Sequence, residues 1–278
     1  MSIRLVALDL DGTLLDPYGK LSPGVVAAVA SLRRAGPEVM LCTGRRYRTA
    51  LPMAMQLGLE GPIVTNNGVL VKDIETGRTL QHAFFPTSLY AEVLAEMRTF
   101  APPLVYIDAY HEGTDMVTER VAEGHAFQQE YVADNTAFLR LVADLDHARP
   151  DNVIMMSAMA DTASLMELRK RAVARLGDRV HTHRLMNKKY QGDILEFLSP
   201  EAGKWAALAR FAASVGIDPD EIAAVGDDNN DAEMIAGAGM GIAMGNAVDA
   251  AKAGADHVVS SNAEGGAIEA IEKIRRAI

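Results

Sequence analysis

The sequence predicts an α/β protein: a doubly wound, mainly parallel sheet carrying an inserted α+β domain. Three observations predict it. Short apolar runs alternate with helical patterns at both ends of the chain, the stretch from about residue 83 to 185 breaks that alternation, and two of the apolar runs end in clustered acid. At 278 residues the chain is long enough for two domains, and 49% hydrophobic with 23% charged residues describes a folded globular protein.

Taken in order, residues 3–8 form an apolar run that reads as a buried strand. In "LSPGVVAAVASLRRAG", Ser22 can cap a helix, Pro23 fits its first turn and Gly36 closes it. "EVMLCTGR" is the next buried strand, "RYRTALPMAMQLGL" a helix made irregular by Pro52, and "PIVTNNG" a third short strand. Within 83–185, "LVYIDAY" and "DMVTE" read as strands around a Gly-containing turn, "DTASLMELRKRAVARLG" as an amphipathic helix and "RVHTHRL" as an alternating strand. The alternation then resumes with "GDILEFL" (strand), "KWAALARFAASVG" (helix), "IAAVGDD" (strand), "NDAEMIAGAG" (helix), "GIAM" (strand) and "GAIEAIEKIRRAI" (helix). The expected division is a discontinuous core, 1–82 and 186–278, around an inserted domain, 83–185.

Composition excludes several classes. A net charge of −10 supplies no basic face for nucleic acid. The single cysteine, Cys42, excludes an intrachain disulfide framework, and no paired Cys/His set suggests structural zinc. No apolar run is long enough to span a bilayer, and the first strand starts too early for a signal peptide, so the expected location is cytoplasmic. The oligomeric state is not legible.

The chemistry gathers at the acidic strand ends, "VALDLDGT" and "IAAVGDDNND". Ligands of open α/β sheets bind at the carboxyl ends of the strands. If the two strands are neighbours, Asp9, Asp11, Asp227 and Asp231 converge on one small volume. Residues two apart on a strand share a face. Ionised carboxylates about 4 Å apart repel by roughly 4 kcal/mol at an effective dielectric near 20. Hard oxygen ligands without His or Cys suit Mg²⁺, the expected cofactor.

These residues resemble a family. Asp9-Leu10-Asp11-Gly12-Thr13 is similar to the DxDGT signature of the haloacid dehalogenase superfamily, and "GDDNND" at 226–231 to its GDxxND motif. Thr43-Gly44-Arg45 resembles the second motif, and Lys204 stands where the family lysine is expected, although bulky Trp205 follows it in place of a small residue. The tail "GIAMGNAVDAAKAGADHVV" resembles the Cof-type branch of hydrolases, whose cap is inserted between the second and third motifs. The resemblance implies a Mg²⁺-dependent phosphatase for a small phosphate ester such as a sugar phosphate, with specificity set by the cap. It implies that Asp9 attacks phosphorus, that Asp11 carries the proton, and that Lys204 offsets charge. Thr43, Gly44, Arg45 and Asn230 would bind the phosphoryl group. Asp9, the Asp11 carbonyl, Asp227 and Asp231 would hold the metal. The alternatives are a sugar phosphomutase of the same fold, or a catalytically silent metabolite-binding or phospho-acceptor protein.

Other features are expected to be structural. His181 and His183 alternate on a strand with no third ligand in view. "GAGMGIAMG" lacks the strand-then-helix order of a dinucleotide site. Met155, Met156, Met159 and Met166 are expected to fill the core of the insert. Cys42 is expected to be a buried small hydrophobe, and Lys188 and Lys189 to lie in a solvated hinge.

Overall fold

The computed structural model of the protein describes residues 2–119, 126–148, 151–187 and 192–278. The chain divides into two compact units, residues 1–82 with 203–278, and residues 83–202. In chain order, the first unit opens with β1 (Leu5–Leu8), α1 (Pro23–Arg34), β2 (Glu38–Leu41), α2 (Tyr47–Gln56), β3 (Pro62–Thr65), β4 (Leu70–Asp73) and β5 (Thr79–His82). The second unit contains α3 (Thr87–Arg98), β6 (Leu104–Ile107), β7 (Met116–Thr118), α4 (Ala126–Asp134), β8 (Leu139–Leu141), β9 (Val153–Ala160), α5 (Thr162–Leu176), β10 (His181–Asn187) and β11 (Gly192–Leu198). The first unit is completed by α6 (Lys204–Ser214), β12 (Ile222–Gly226), α7 (Ala232–Gly237), β13 (Met240–Ala243), α8 (Asp249–Ala253), β14 (His257–Val258) and α9 (Gly266–Ala277).

The α/β expectation holds. Five parallel strands run in the order β14-β13-β12-β1-β2. All of β1 and β12 is buried, as strands covered on both faces require. Helix α1 starts as its sequence dictates, with Ser22 Oγ accepting from the Val25 N–H and Pro23 in the first turn. Pro52 lies inside α2 without ending it. β3 joins the parallel sheet through a single bridge, Cys42 to Val64, and then turns into an antiparallel three-stranded sheet with β4 and β5. The register that matters chemically is Leu8 beside Val225. It makes β1 and β12 end together, so the residues that follow both strands share one edge of the sheet.

The second unit is a six-stranded sheet, β10-β11-β9-β6-β7-β8, antiparallel except for the β7–β8 pair. Helices α3 and α5 pack on it over a core that includes Leu89, Val93, Met156, Leu165, Leu168 and Phe197. One element differs from expectation. "GDILEFL", assigned to the parallel core, is β11, paired antiparallel with both β9 and β10. The chain therefore returns to the first unit near residue 203 rather than 186. A continuous apolar run states that a strand is buried, not which sheet buries it. Lys188 and Lys189 lie outside the described residues. Met155, Met156 and Met159 are buried on β9, but Met166 is 42% exposed on α5 and fills no core.

Candidate active site

The backbone leaves β1 at Leu8 and makes one wide turn, Leu10–Leu14, in which Gly12 adopts a φ of 79°. A β-carbon at Gly12 would lie 2.1 Å from Asp227 Oδ2, so only glycine lets this turn meet the end of β12. Asp9 is anchored by its own N–H, which donates to the Val225 carbonyl at 3.0 Å. Across the junction, carboxylate oxygens of Asp9, Asp227 and Asp231 lie within 4.8 Å of one another. Lys204, the first residue of α6, reaches in from the side. Its Nζ donates to Asp9 Oδ1 and Asp231 Oδ1, each at 2.7 Å, and all three side chains are essentially buried.

Burial and charge set the electrostatics. Burial pushes Asp9 well above the usual carboxylate range; Lys204 opposes this, while Asp231 and Asp227 add to it. Burial alone would depress Lys204, but Asp9 and Asp231 outweigh it and hold the ammonium above its ordinary value. Burial and the neighbouring Asp231 carboxylate push Asp227 up to about 7, against the hydrogen bond from Thr13. One ammonium thus faces three carboxylates, and that imbalance is what a divalent cation relieves. The donor set is oxygen only, which fits a hard cation such as Mg²⁺. Asp9, Asp227 and Asp231 each offer a carboxylate oxygen within reach of one such ion. Asp231 Oδ2 also accepts from the N–H groups of Asp227 and Asp228 at 3.0 and 3.1 Å.

Asp11 departs from the expected placement. Its carboxylate is not in the acidic cluster, because the turn after Asp9 ends the strand alternation that would have put both on one face. It is 57% exposed and is gripped by Arg45, whose Nε and a terminal nitrogen donate to the two Asp11 oxygens at 2.6 Å each. The two carboxylates therefore pair with different cations, Asp11 with Arg45 and Asp9 with the Lys204 that it shares with Asp231. The Asp11 carboxylate belongs to no metal-ligand group among the described residues. The Arg45 guanidinium is engaged with Asp11.

Thr43 is fully buried at the end of β2, and its Oγ1 accepts from the Arg45 N–H at 3.1 Å. Asn230 Nδ2 donates to Asn67 Oδ1 at 2.8 Å. Trp205, the departure from the family pattern, packs its ring against Gly237 of α7, where a β-carbon would come within 2.4 Å of it. Its bulk is accommodated by the neighbouring helix. His181 and His183 hydrogen-bond to the Ala202 carbonyl and to Glu196, and they join no metal-ligand group among the described residues.

Sequence reasoning missed the residues that orient Asp227. Thr13 Oγ1 donates to its Oδ1 at 3.1 Å, and Asn246 Nδ2 donates to its Oδ2 at 3.2 Å and to the Gly12 carbonyl at 2.9 Å. Thr13 had a signal, its place in "DGT". Asn246 had only its position, a polar residue just beyond the end of β13.

With this geometry in place, the class is settled: the chain belongs to the haloacid dehalogenase-like hydrolases, whose family pattern it matches over residues 6–271. Within them it is a Cof-type member and a phosphoric monoester hydrolase. It is 28% identical to pyridoxal phosphate phosphatase YbhA of Escherichia coli over 272 residues, covering 94% of this chain and 95% of that protein. It is 31% identical to an HMP-PP phosphatase of Serratia proteamaculans, covering 88% and 85% of the two chains. The crystal structure of a haloacid dehalogenase-like hydrolase from Bacteroides thetaiotaomicron superposes with a TM-score of 0.81 at 26% identity, covering 98% and 100%. No helix among the described residues is long and apolar enough to cross a membrane.

Proposed function

We propose that the protein is a Mg²⁺-dependent phosphatase of a small phosphorylated metabolite, such as a sugar phosphate, working through an aspartyl-phosphate intermediate. The observation that carries this reading is the buried Asp9–Lys204–Asp231 group beside Asp227 at the joined ends of β1 and β12. Asp9 attacks phosphorus with a carboxylate oxygen while the ester P–O bond breaks. Asp11 gives its proton to the departing alkoxide oxygen. It then takes a proton from the water that attacks the aspartyl phosphate, releasing inorganic phosphate and restoring Asp9. Lys204 balances charge next to the nucleophile, while Thr43, Gly44 and Asn230 bind the phosphoryl oxygens. Bound Mg²⁺, held by Asp9, Asp227 and the Asp11 carbonyl with Asp231 behind them, supplies electrostatic stabilisation of the transferring group. The second unit, residues 83–202, is the proposed source of substrate specificity.

The test is hydrolysis of p-nitrophenyl phosphate with and without EDTA, followed by a panel of phosphate esters that includes sugar phosphates and pyridoxal phosphate. Metal-dependent release of nitrophenolate is expected. Release that survives EDTA undiminished, or that persists in Asp9→Asn, would overturn the assignment of the metal or of the nucleophile. Product analysis distinguishes a hydrolase from a mutase: free phosphate is expected, not an isomeric phosphate ester.

A further inference from the structure

The segment "TNNG" that follows β3 reads in sequence as nothing more than a strand end, yet three parts of the site meet on it. Asn66 and Asn67 have φ values of 52° and 55°, the only non-glycine residues with positive φ among the described residues. L-amino acids avoid that conformation, and where it persists the surroundings enforce it. Both residues are buried, and both atoms of the Asn66 side-chain amide lack a hydrogen-bond partner.

The strained turn is well connected. The Asn67 N–H donates to the Thr43 carbonyl at 3.2 Å and the Asn66 N–H to the Arg45 carbonyl at 2.9 Å, so two successive amides tie down the 43–45 loop. Asn67 Oδ1 accepts from Asn230 Nδ2 at 2.8 Å. The same oxygen lies 2.8 Å from where a Gly44 β-carbon would sit, which seats the Asn67 amide against the loop. Next in sequence, Gly68 lies against the Gly203 carbonyl and the Lys204 nitrogen, and a β-carbon there would come within 2.0 and 2.9 Å of them.

We propose that Asn67 is a positioning residue of the phosphoryl-binding pocket: its side-chain oxygen fixes the Asn230 amide, and its backbone holds the Thr43–Gly44 loop. An amide nitrogen has two hydrogens. Asn67 takes one, which decides which end of the Asn230 side chain is the donor and leaves the second hydrogen for an anion. The left-handed turn is required because it brings an N–H and a side-chain oxygen of one residue to bear on two different loops. The inference rests on the phosphatase reading of the site.

Asn67→Gly separates the two contributions, because glycine adopts a φ near 55° freely and loses only the amide. For p-nitrophenyl phosphate, kcat/KM is expected to fall by about 10- to 100-fold, the range for a lost hydrogen bond that orients a group contacting charge. Inhibition by inorganic phosphate is expected to weaken roughly 10-fold in step. In an Asn230→Ala background the same change should cost less than about 2-fold, since the residue it positions is gone.

A second variant guards against misfolding of the first. Gly44→Ala leaves residue 67 intact, but its methyl displaces Asn67 Oδ1, so it should reproduce the weakened phosphate inhibition. Added to Asn67→Gly, Gly44→Ala should then weaken phosphate inhibition by less than about 2-fold further, because the oxygen it displaces is already gone. Unchanged phosphate inhibition in both single variants, or full additivity of Asn67→Gly with Asn230→Ala, would overturn the proposal. A wild-type protein without phosphatase activity would instead defeat the reading on which it rests.

Discussion

Two ion pairs of the same site are built on opposite terms. Lys204 with Asp9 and Asp231 is sealed from solvent, with side-chain exposures of 2%, 5% and 0%. Arg45 with Asp11 is open, at 27% and 57%. A buried ion group is costly to assemble and more costly to break, because the partner left behind is an uncompensated charge away from water. An exposed pair contributes little to stability and can exchange partners at small cost. The proposed nucleophile sits in the first environment and the proposed proton carrier in the second. The carboxylate that must hold one geometry is locked, and the one that must receive and release a proton has access to water.

The largest expected effects come from breaking the buried side. Asp9→Asn keeps the volume and removes the attacking charge; turnover of p-nitrophenyl phosphate is expected to drop by at least about 10³-fold with the fold intact by circular dichroism. Lys204→Met leaves Asp9 and Asp231 facing each other, and denaturant unfolding should show a loss of about 3–5 kcal/mol along with loss of activity. A Lys204→Met protein as stable as wild type would show that the buried group is not under the electrostatic tension inferred for it.

The open side should respond in activity and hardly in stability. Arg45→Ala is expected to change unfolding free energy by no more than about 1 kcal/mol. Asp11→Asn sharpens the contrast through leaving-group chemistry. Nitrophenolate departs without a proton, so the first half-reaction should survive in part, but activation of water should not. Rapid mixing should then show a burst of nitrophenolate close to one equivalent, followed by slow turnover. Loss of the burst together with the slow phase would mean that Asp11 is required before the aspartyl phosphate forms, even with a leaving group that needs no proton.

The two sides also differ in how legible they were. Asp9, Asp227 and Asp231 are encoded as strand-end positions, and once β1 and β12 are neighbours in register their convergence follows, whereas Lys204 was legible only through the family resemblance. The outward turn of Asp11 was not legible. It depends on the tight passage of Gly12 past Asp227, a contact between residues far apart in the chain. Asn67 and Asn246 act through side-chain hydrogen bonds that leave no periodic trace. The β4–β5 hairpin was hidden because Lys72, a residue expected at the surface, is buried there with its Nζ donating to Thr79 Oγ1 at 2.7 Å. The placement of β11 was hidden for the opposite reason: its apolar run suits a buried strand of either sheet.

The smallest expected effect is a reagent that should do nothing. Cys42 lies between the end of β2 and Thr43; it is fully buried, and burial drives its thiol far above the ordinary value, so almost no thiolate forms at neutral pH. The thiolate is the species that alkylates, and native protein should therefore resist iodoacetamide over hours in which the unfolded chain reacts fully. Because Cys42 feels the Lys204, Asp231 and Asp9 charges, it reports on the sealed side of the comparison. Lys204→Met should accelerate its modification by favouring opening, whereas Arg45→Ala should leave the rate unchanged. Equal acceleration by both substitutions would mean that the open pair and the buried group belong to one cooperative unit, and the division drawn between them would fail.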